Sequence, residues 1–182
     1  MGTLTIYDDV DPATPLFYSS DNAVIAARLN DVGIRFEQWT ALREIPRDAD
    51  DAAVLAVYQP DIDRLVAEEG YKSWDIVRVL PDNENRAVMR GKFLDEHTHS
   101  EDEVRFFAEG SGMFYLHIGT KVYMVLCEAA DFISVPAGTT HWFDMGPRPH
   151  FTALRLFMSP DGWVASFTGS GYSAEFPKYE TA

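Results

Sequence analysis

From about Val88 onward the chain repeats one pattern, a short apolar or aromatic segment followed by a turn. The segments cover residues 104–107, 113–117, 122–127, 132–135, 141–144 and 151–157. The punctuation between and beside them reads EGSG, IGTK, EAAD, PAGTT and MGPRP. Each segment is too short to bury much surface alone. Strands of this length and spacing fold by pairing edge to edge around a shared core, which predicts an all-β sandwich or barrel.

The first 87 residues have a different texture. Residues 3–7 read as a short strand. Asp21 or Asn22 caps a helix with Ile25, Leu29 and Val32 at i, i+4 and i+7, and Gly33 lies near its end. Asp50 or Asp51 caps a second helix carrying Val54, Leu55 and Tyr58, which Pro60 is expected to break or to follow as the first residue of a third. Ile62, Leu65 and Val66 continue the apolar stripe to Gly70, residues 74–80 read as a strand, and PDNEN as a loop. These elements are too few for a core of their own, so the helices are expected to pack outside the barrel. The expected fold is therefore mainly β with peripheral helices, in a single domain over residues 1–182. A barrel at about 88–158 is preceded by additions at 1–87 and followed by a tail at 159–182.

The 182 residues are 46% hydrophobic, enough for one sizeable core, and the formal net charge is −14. That charge repels phosphate backbones and anionic lipid heads, so neither nucleic acid nor membrane is expected as a partner. No segment approaches the ~20 apolar residues of a membrane span, and the first residues lack a signal peptide's basic and apolar regions. A single cysteine, Cys127, sits in the apolar run VYMVLCEAA and reads as a buried core thiol. A cytoplasmic, monomeric protein is expected.

The most specific signal lies in the histidines. Of five, three join one glutamate in a two-part pattern. The first part is G-x5-H-x-H-x3-E-x6-G, with Gly91, His97, His99, Glu103 and Gly110; the second is P-x-G-x2-H, with Pro136, Gly138 and His141. Residues two apart on a strand share a face, so His97 and His99 can both point into a barrel. Imidazole suits Fe, Ni, Cu and Zn, and the carboxylate adds a hard oxygen. Four protein ligands on an octahedral ion leave two positions free, the arrangement of a catalytic rather than a closed structural site. A lone histidine is usually a hydrogen-bonded core residue; His117 and His150, outside the pattern, are read as ordinary polar residues.

Strand parity selects the neighbours. Arg105 and Phe107 share a face with Glu103, and Phe143 shares one with His141. Arg105 is then either a clamp for an anionic substrate or half of a salt bridge to Asp102 or Glu101. Arg155, interrupting FTALRLF, is read the same way, and Phe93, Phe143 and Trp163 wall an apolar pocket or are plain core.

Three longer segments, KFLDEHTHSEDEVRFFAEGSGMFYLHI, SVPAGTTHWFDMGPRPHFTALRLF and GWVASFTGS, resemble the bacterial acireductone dioxygenases of methionine salvage. DNAVIAARLNDVGIRFEQW and YQPDIDRLVAEEGYKSWDIVRV are similar to that family's helical front half. The metal motif alone specifies only a cupin; the flanking likeness, from about Leu4 to about Phe176, specifies the family. The resemblance implies a cupin jelly-roll β-barrel and one Fe(II) or Ni(II) per chain on His97, His99, Glu103 and His141. The substrates would be O2 and an acireductone, an enediol ketone with a methylthioethyl tail. Arg105 would hold the substrate dianion, and Phe93, Phe143, Arg155 and Trp163 would line its pocket. With iron the expected products are formate and the 2-keto acid precursor of methionine; with nickel, formate, carbon monoxide and methylthiopropionate. Another cupin metalloenzyme acting on a small anion, or a non-enzymatic cupin, are the alternatives. One departure from the general cupin pattern is Ala130 where a glycine is usual, and another is Met145 where an asparagine is usual, so the turn near Ala130 is expected to differ in shape.

Overall fold

The computed structural model describes residues 2–39 and 44–180. In chain order the elements are β1 (Thr3–Asp8), β2 (Asp11–Ser19), α1 (Asn22–Asn30), β3 (Arg35–Gln38), α2 (Asp51–Glu69), β4 (Ser73–Val79), α3 (Arg86–Phe93), β5 (His97–Thr98), β6 (Glu103–Ile118), β7 (Lys121–Glu128), β8 (Asp131–Val135), β9 (Thr140–Asp144), β10 (His150–Phe157), β11 (Ser166–Phe167) and α4 (Tyr172–Glu175). The long β6 organises the rest. Its first half lies between β8 and β10, its second between β9 and β7. From those partners the sheet extends through β3 and β4 on one side, and through β5, β11, β1 and β2 on the other. A strand that bends and changes partners in this way joins the two layers of a jelly roll at a corner.

Burial follows the two faces of each strand. Between the layers lie Leu4, Phe107, Phe114, Val125, Ile133, Phe143 and Phe151, with Ile25 and Leu29 of α1 at one side. On the outer face of the first layer, Val54, Tyr58, Ile62 and Leu65 of α2 cover Val104, Phe106, Phe132, Leu154 and Leu156. On the outer face of the second, the C-terminal segment lays Phe176 and Tyr172 against Tyr115, Met124 and Trp142. The front-half helix α2 thus packs outside the barrel as its stripe of apolar residues implied. Cys127 is fully buried, and burial pushes its thiol up from the ordinary range, which fits an inert core residue.

Asp21 caps α1 through Ala23 N and Val24 N, Asp50 caps α2 through Ala53 N, and Gly70 closes α2 in the left-handed region. Pro60 departs from expectation. It sits inside one uninterrupted helix. A proline there forfeits a backbone hydrogen bond and costs about 3 kcal/mol. Tyr58, Ile62 and Leu65, all fully buried on one stripe across the proline, offset it, since each contributes roughly 1.5–3 kcal/mol.

EGSG is the second departure. It is a bend within β6 rather than a turn between strands. The pairing with β10 slips between Thr152 and Ala153, and the inward parity changes from Glu103, Arg105 and Phe107 to Phe114 and Leu116. Gly110 makes this possible at φ +70°, where a Cβ would stand 1.7 Å from the His150 carbonyl oxygen. Gly110→Ala is therefore expected to lower stability by roughly 3 kcal/mol or more, read as a lower urea midpoint with an unchanged m-value.

Ala130 is the third. It holds φ +81°, the conformation a glycine would adopt freely, so this turn keeps the left-handed shape without the glycine. Its own N–H donates to Phe107 O and its carbonyl accepts from Trp39 N, which fixes it in place.

Candidate metal centre

β5 is only two residues long, yet it sets the site. His97 pairs with His141 of β9 on one side and with Phe167 of β11 on the other. His99 follows two residues later, and its own carbonyl accepts from Gly138 N, which ties the P-A-G turn to the ligand strand. Asp102 does the same from the side chain, accepting from Ala137 N at 2.9 Å. Glu103 opens β6 opposite Val135. One ligand atom from each of His97, His99, Glu103 and His141 lies within 4.8 Å of the others, and all four residues are buried.

The imidazoles are oriented alike. Each Nδ1 donates to a backbone carbonyl: His97 to Asp95 O at 2.7 Å, His99 to Val164 O at 2.9 Å, and His141 to Thr139 O at 2.8 Å. That leaves every Nε2 free to face the cluster, the orientation that outer carbonyls impose on metal-ligating histidines. His141 Nε2 lies 2.5 Å from Glu103 Oε2, and His99 Nε2 3.5 Å from the same oxygen. Burial, helped by the nearby His141, lowers the His97 pKa to about 4, so its lone pair is available at neutral pH. Burial alone would raise the Glu103 carboxyl. Arg105 and His141 outweigh that and hold it well below the usual carboxylate range.

Arg105 does point into the cluster, as parity requires. Its partner is Glu103 itself, at 2.8 Å from Nε and 2.5 Å from Nη2 to Oε1. The salt bridge to Asp102 or Glu101 is thereby corrected. Asp102 serves Ala137, and Glu101 accepts from Met158 N and Ser159 N. Arg155 lies opposite Arg105 in the ladder and opposite Asp75 on its far side, whose carboxylate it grips at 2.7 and 2.5 Å.

A cavity of about 500 Å³ opens over this row of charges. His99, Glu103, Arg105 and Arg155 supply its polar side. Phe93, Phe157, Trp163, Val164 and Phe167 supply an apolar wall, with Lys92 at the edge. Phe143 is the exception among the residues singled out from sequence. It does not line the cavity; it packs between the layers against Phe107, Phe114 and Phe151, because Gly112 leaves room for its ring. Parity assigned its face correctly but not its depth. Reading the sequence also missed Phe157, Val164, Phe167 and Lys92. Lys92 adjoins Phe93 in the chain, and that adjacency was the one available signal. His117 is an ordinary polar residue, as expected. It bridges Glu96 at 2.7 Å and Asp9 at 3.2 Å, while His150 lies 3.3 Å from Glu109.

Three inward imidazoles and a carboxylate, at the end of a jelly roll and open to a cavity, define a metalloenzyme of the cupin class. The family model for ARD/ARD′ matches residues 5–165. An acireductone dioxygenase of Parvibaculum lavamentivorans is 58% identical over 181 residues, covering 100% of this chain and 98% of that protein. One from Yersinia enterocolitica is 53% identical, covering 99% and 100%. A solved acireductone dioxygenase from Bacillus anthracis, with a cadmium ion in its active centre, superposes at a TM-score of 0.79 with 27% identity, covering 92% of this chain and 98% of that one. The chain belongs to the acireductone dioxygenase family, and it is a metal-dependent dioxygenase with one metal site. The full-length matches decide against the alternative of a different cupin enzyme. No helix among the described residues is long and apolar enough to cross a membrane.

Proposed function

We propose that His97, His99, Glu103 and His141 hold one Fe(II) or Ni(II), and that the cavity above them binds the acireductone as its enediol dianion. The observation that carries this reading is the convergence of three carbonyl-oriented imidazoles and Glu103 beneath an aromatic wall that also contains Arg105. The donor set fits either ion, being mixed nitrogen and oxygen with no thiolate to demand a softer one. When bound, the ion supplies Lewis acidity and electron-transfer capacity for the reaction of the enediol with O2.

The chain's own groups do the rest. Arg105 shares its guanidinium between Glu103 and the substrate oxygens, so that negative charge meets a fixed cation in a poorly hydrated site. Arg155, fixed by Asp75, adds a second positive group on the same cavity side. Phe93, Phe157 and Trp163 take the apolar tail and exclude water. The backbone carbonyls of Asp95, Thr139 and Val164 keep the Nδ1 protons in place, so no ligand rotates during turnover. A lone buried thiol suits the reducing cytoplasm.

The metal's part is tested by exchange. One batch of stripped protein is divided and reloaded with Fe(II) or Ni(II), and products are collected from each half. Carbon monoxide is expected only from the nickel half, and the 2-keto acid as the main product of the iron half. Identical mixtures, with loading verified, would mean that the metal does not steer the reaction.

A further inference from the structure

We infer that Lys92 is the substrate-capture residue of this site, the cation that draws the anionic acireductone to the cavity mouth before Arg105 engages it. The inference rests on the proposed binding of an anionic substrate over Arg105.

Three cations border the cavity: Lys92, Arg105 and Arg155. Two are already committed. Arg105 is paired with Glu103, and Arg155 grips Asp75 through two hydrogen bonds. Both guanidinium groups are largely buried, with side-chain exposures of 11% and 17%, and Arg105 shares Glu103 with the metal site, so neither offers a charge to the solvent at the mouth. Lys92 is exposed, and no ion pair involves it among the described residues. Among the described residues that line the cavity, it is the cation without an ion-pair partner.

Its placement is built into the fold. α3 is anchored by Arg90, which pairs with the fully buried Asp144 of β9 at 2.7 and 2.9 Å. Asp144 stands three residues beyond the ligand His141 on the same strand. Met89 and Phe93 pack against the core between the layers, and Phe93 also faces the cavity. Lys92 lies between Arg90 and Phe93, so its backbone is held on the rim while its ammonium reaches into water.

The chain as a whole makes such a cation useful. A formal net charge of −14 repels an approaching acireductone anion. One rim charge acting on a singly charged enediolate about 7 Å away in water, with the weak screening of low salt, changes the encounter rate roughly twofold. Reversing that charge changes it by about the square, roughly fourfold. The loss should fall on kcat/KM rather than on kcat, because the capture contact precedes chemistry.

The test is anaerobic stopped-flow binding of the acireductone to nickel-loaded protein, followed by tryptophan fluorescence, to which Trp163 on the wall contributes. It is run at low salt and at high salt. Lys92→Ala should associate about twofold more slowly at low salt and Lys92→Glu about fourfold more slowly, with Lys92→Arg near the parent rate. At high salt the four proteins should converge on nearly the same rate. Lys92 is exposed, so these variants should keep the parent's metal content and melting temperature. An unchanged association rate in Lys92→Glu at low salt would overturn the inference, and so would a loss that high salt leaves undiminished. Arg105→Ala separates the two claims. If it binds the acireductone as tightly as the parent, the anion reading of the cavity fails and capture by Lys92 falls with it. If Arg105→Ala binds weakly while Lys92→Glu associates normally, only the capture role is lost.

Discussion

Arg105→Ala is expected to lower kcat/KM by a factor of several hundred while metal content stays near one ion per chain. The guanidinium sits 2.8 and 2.5 Å from Glu103 Oε1 and borders the cavity, so its removal takes away the cation that pairs with the ligand Glu103 on the cavity wall. Loss of one such electrostatic contact costs about 3–4 kcal/mol in the transition state. Metal should survive because a bound dication itself offsets the Glu103 carboxylate. Arg105→Lys should recover only part of the activity, since an ammonium cannot serve Glu103 and the substrate with one planar fork. Steady-state kinetics beside metal analysis of the same samples checks this. Near-parent turnover in Arg105→Ala would reduce the residue to a structural partner of Glu103.

Glu103→Ala should have the largest effect of any single change, abolishing most metal binding and with it turnover. Among the described residues the carboxylate is the one hard oxygen in the cluster and the anion that pairs directly with Arg105. Its loss leaves a buried, unpaired guanidinium, which costs about 3–5 kcal/mol in itself. His99→Ala should lose metal comparably without that extra destabilisation. The two variants should therefore differ in urea midpoint while sharing an empty site. Full occupancy in His99→Ala would remove that residue from the ligand set.

The four ligands were legible in the sequence because their constraint is local. His97 and His99 share a strand face, Glu103 follows one turn later, and His141 comes off a glycine-bearing turn, so spacing alone nearly fixes the cluster. Capping signals at Asp21, Asp50 and Gly70 were equally local. What spacing could not reveal was set by partners distant in the chain. EGSG reads as a turn until β7, β9 and β10 are present to carry one strand through it. Pro60 reads as a break until a continuous buried stripe holds the helix on either side of it. α3 carries no fully buried residue and gave no apolar period, since it is held by Arg90 on Asp144, 54 residues away. Phe143 was placed on the right face but at the wrong depth, because only Gly112, on a neighbouring strand, shows how far its ring sinks.

The central claim is that one divalent ion on His97, His99, Glu103 and His141 makes this chain consume O2 with an acireductone. The direct measurement is O2 uptake by one purified batch before metal removal, after it, and after reloading with Fe(II) or Ni(II), with metal content determined at each stage. About one ion per chain, uptake that falls to the uncatalysed rate on removal, and recovery with either ion are the expected results. Uptake above the uncatalysed rate in metal-free protein would contradict the claim, as would a fully loaded protein that leaves the acireductone untouched.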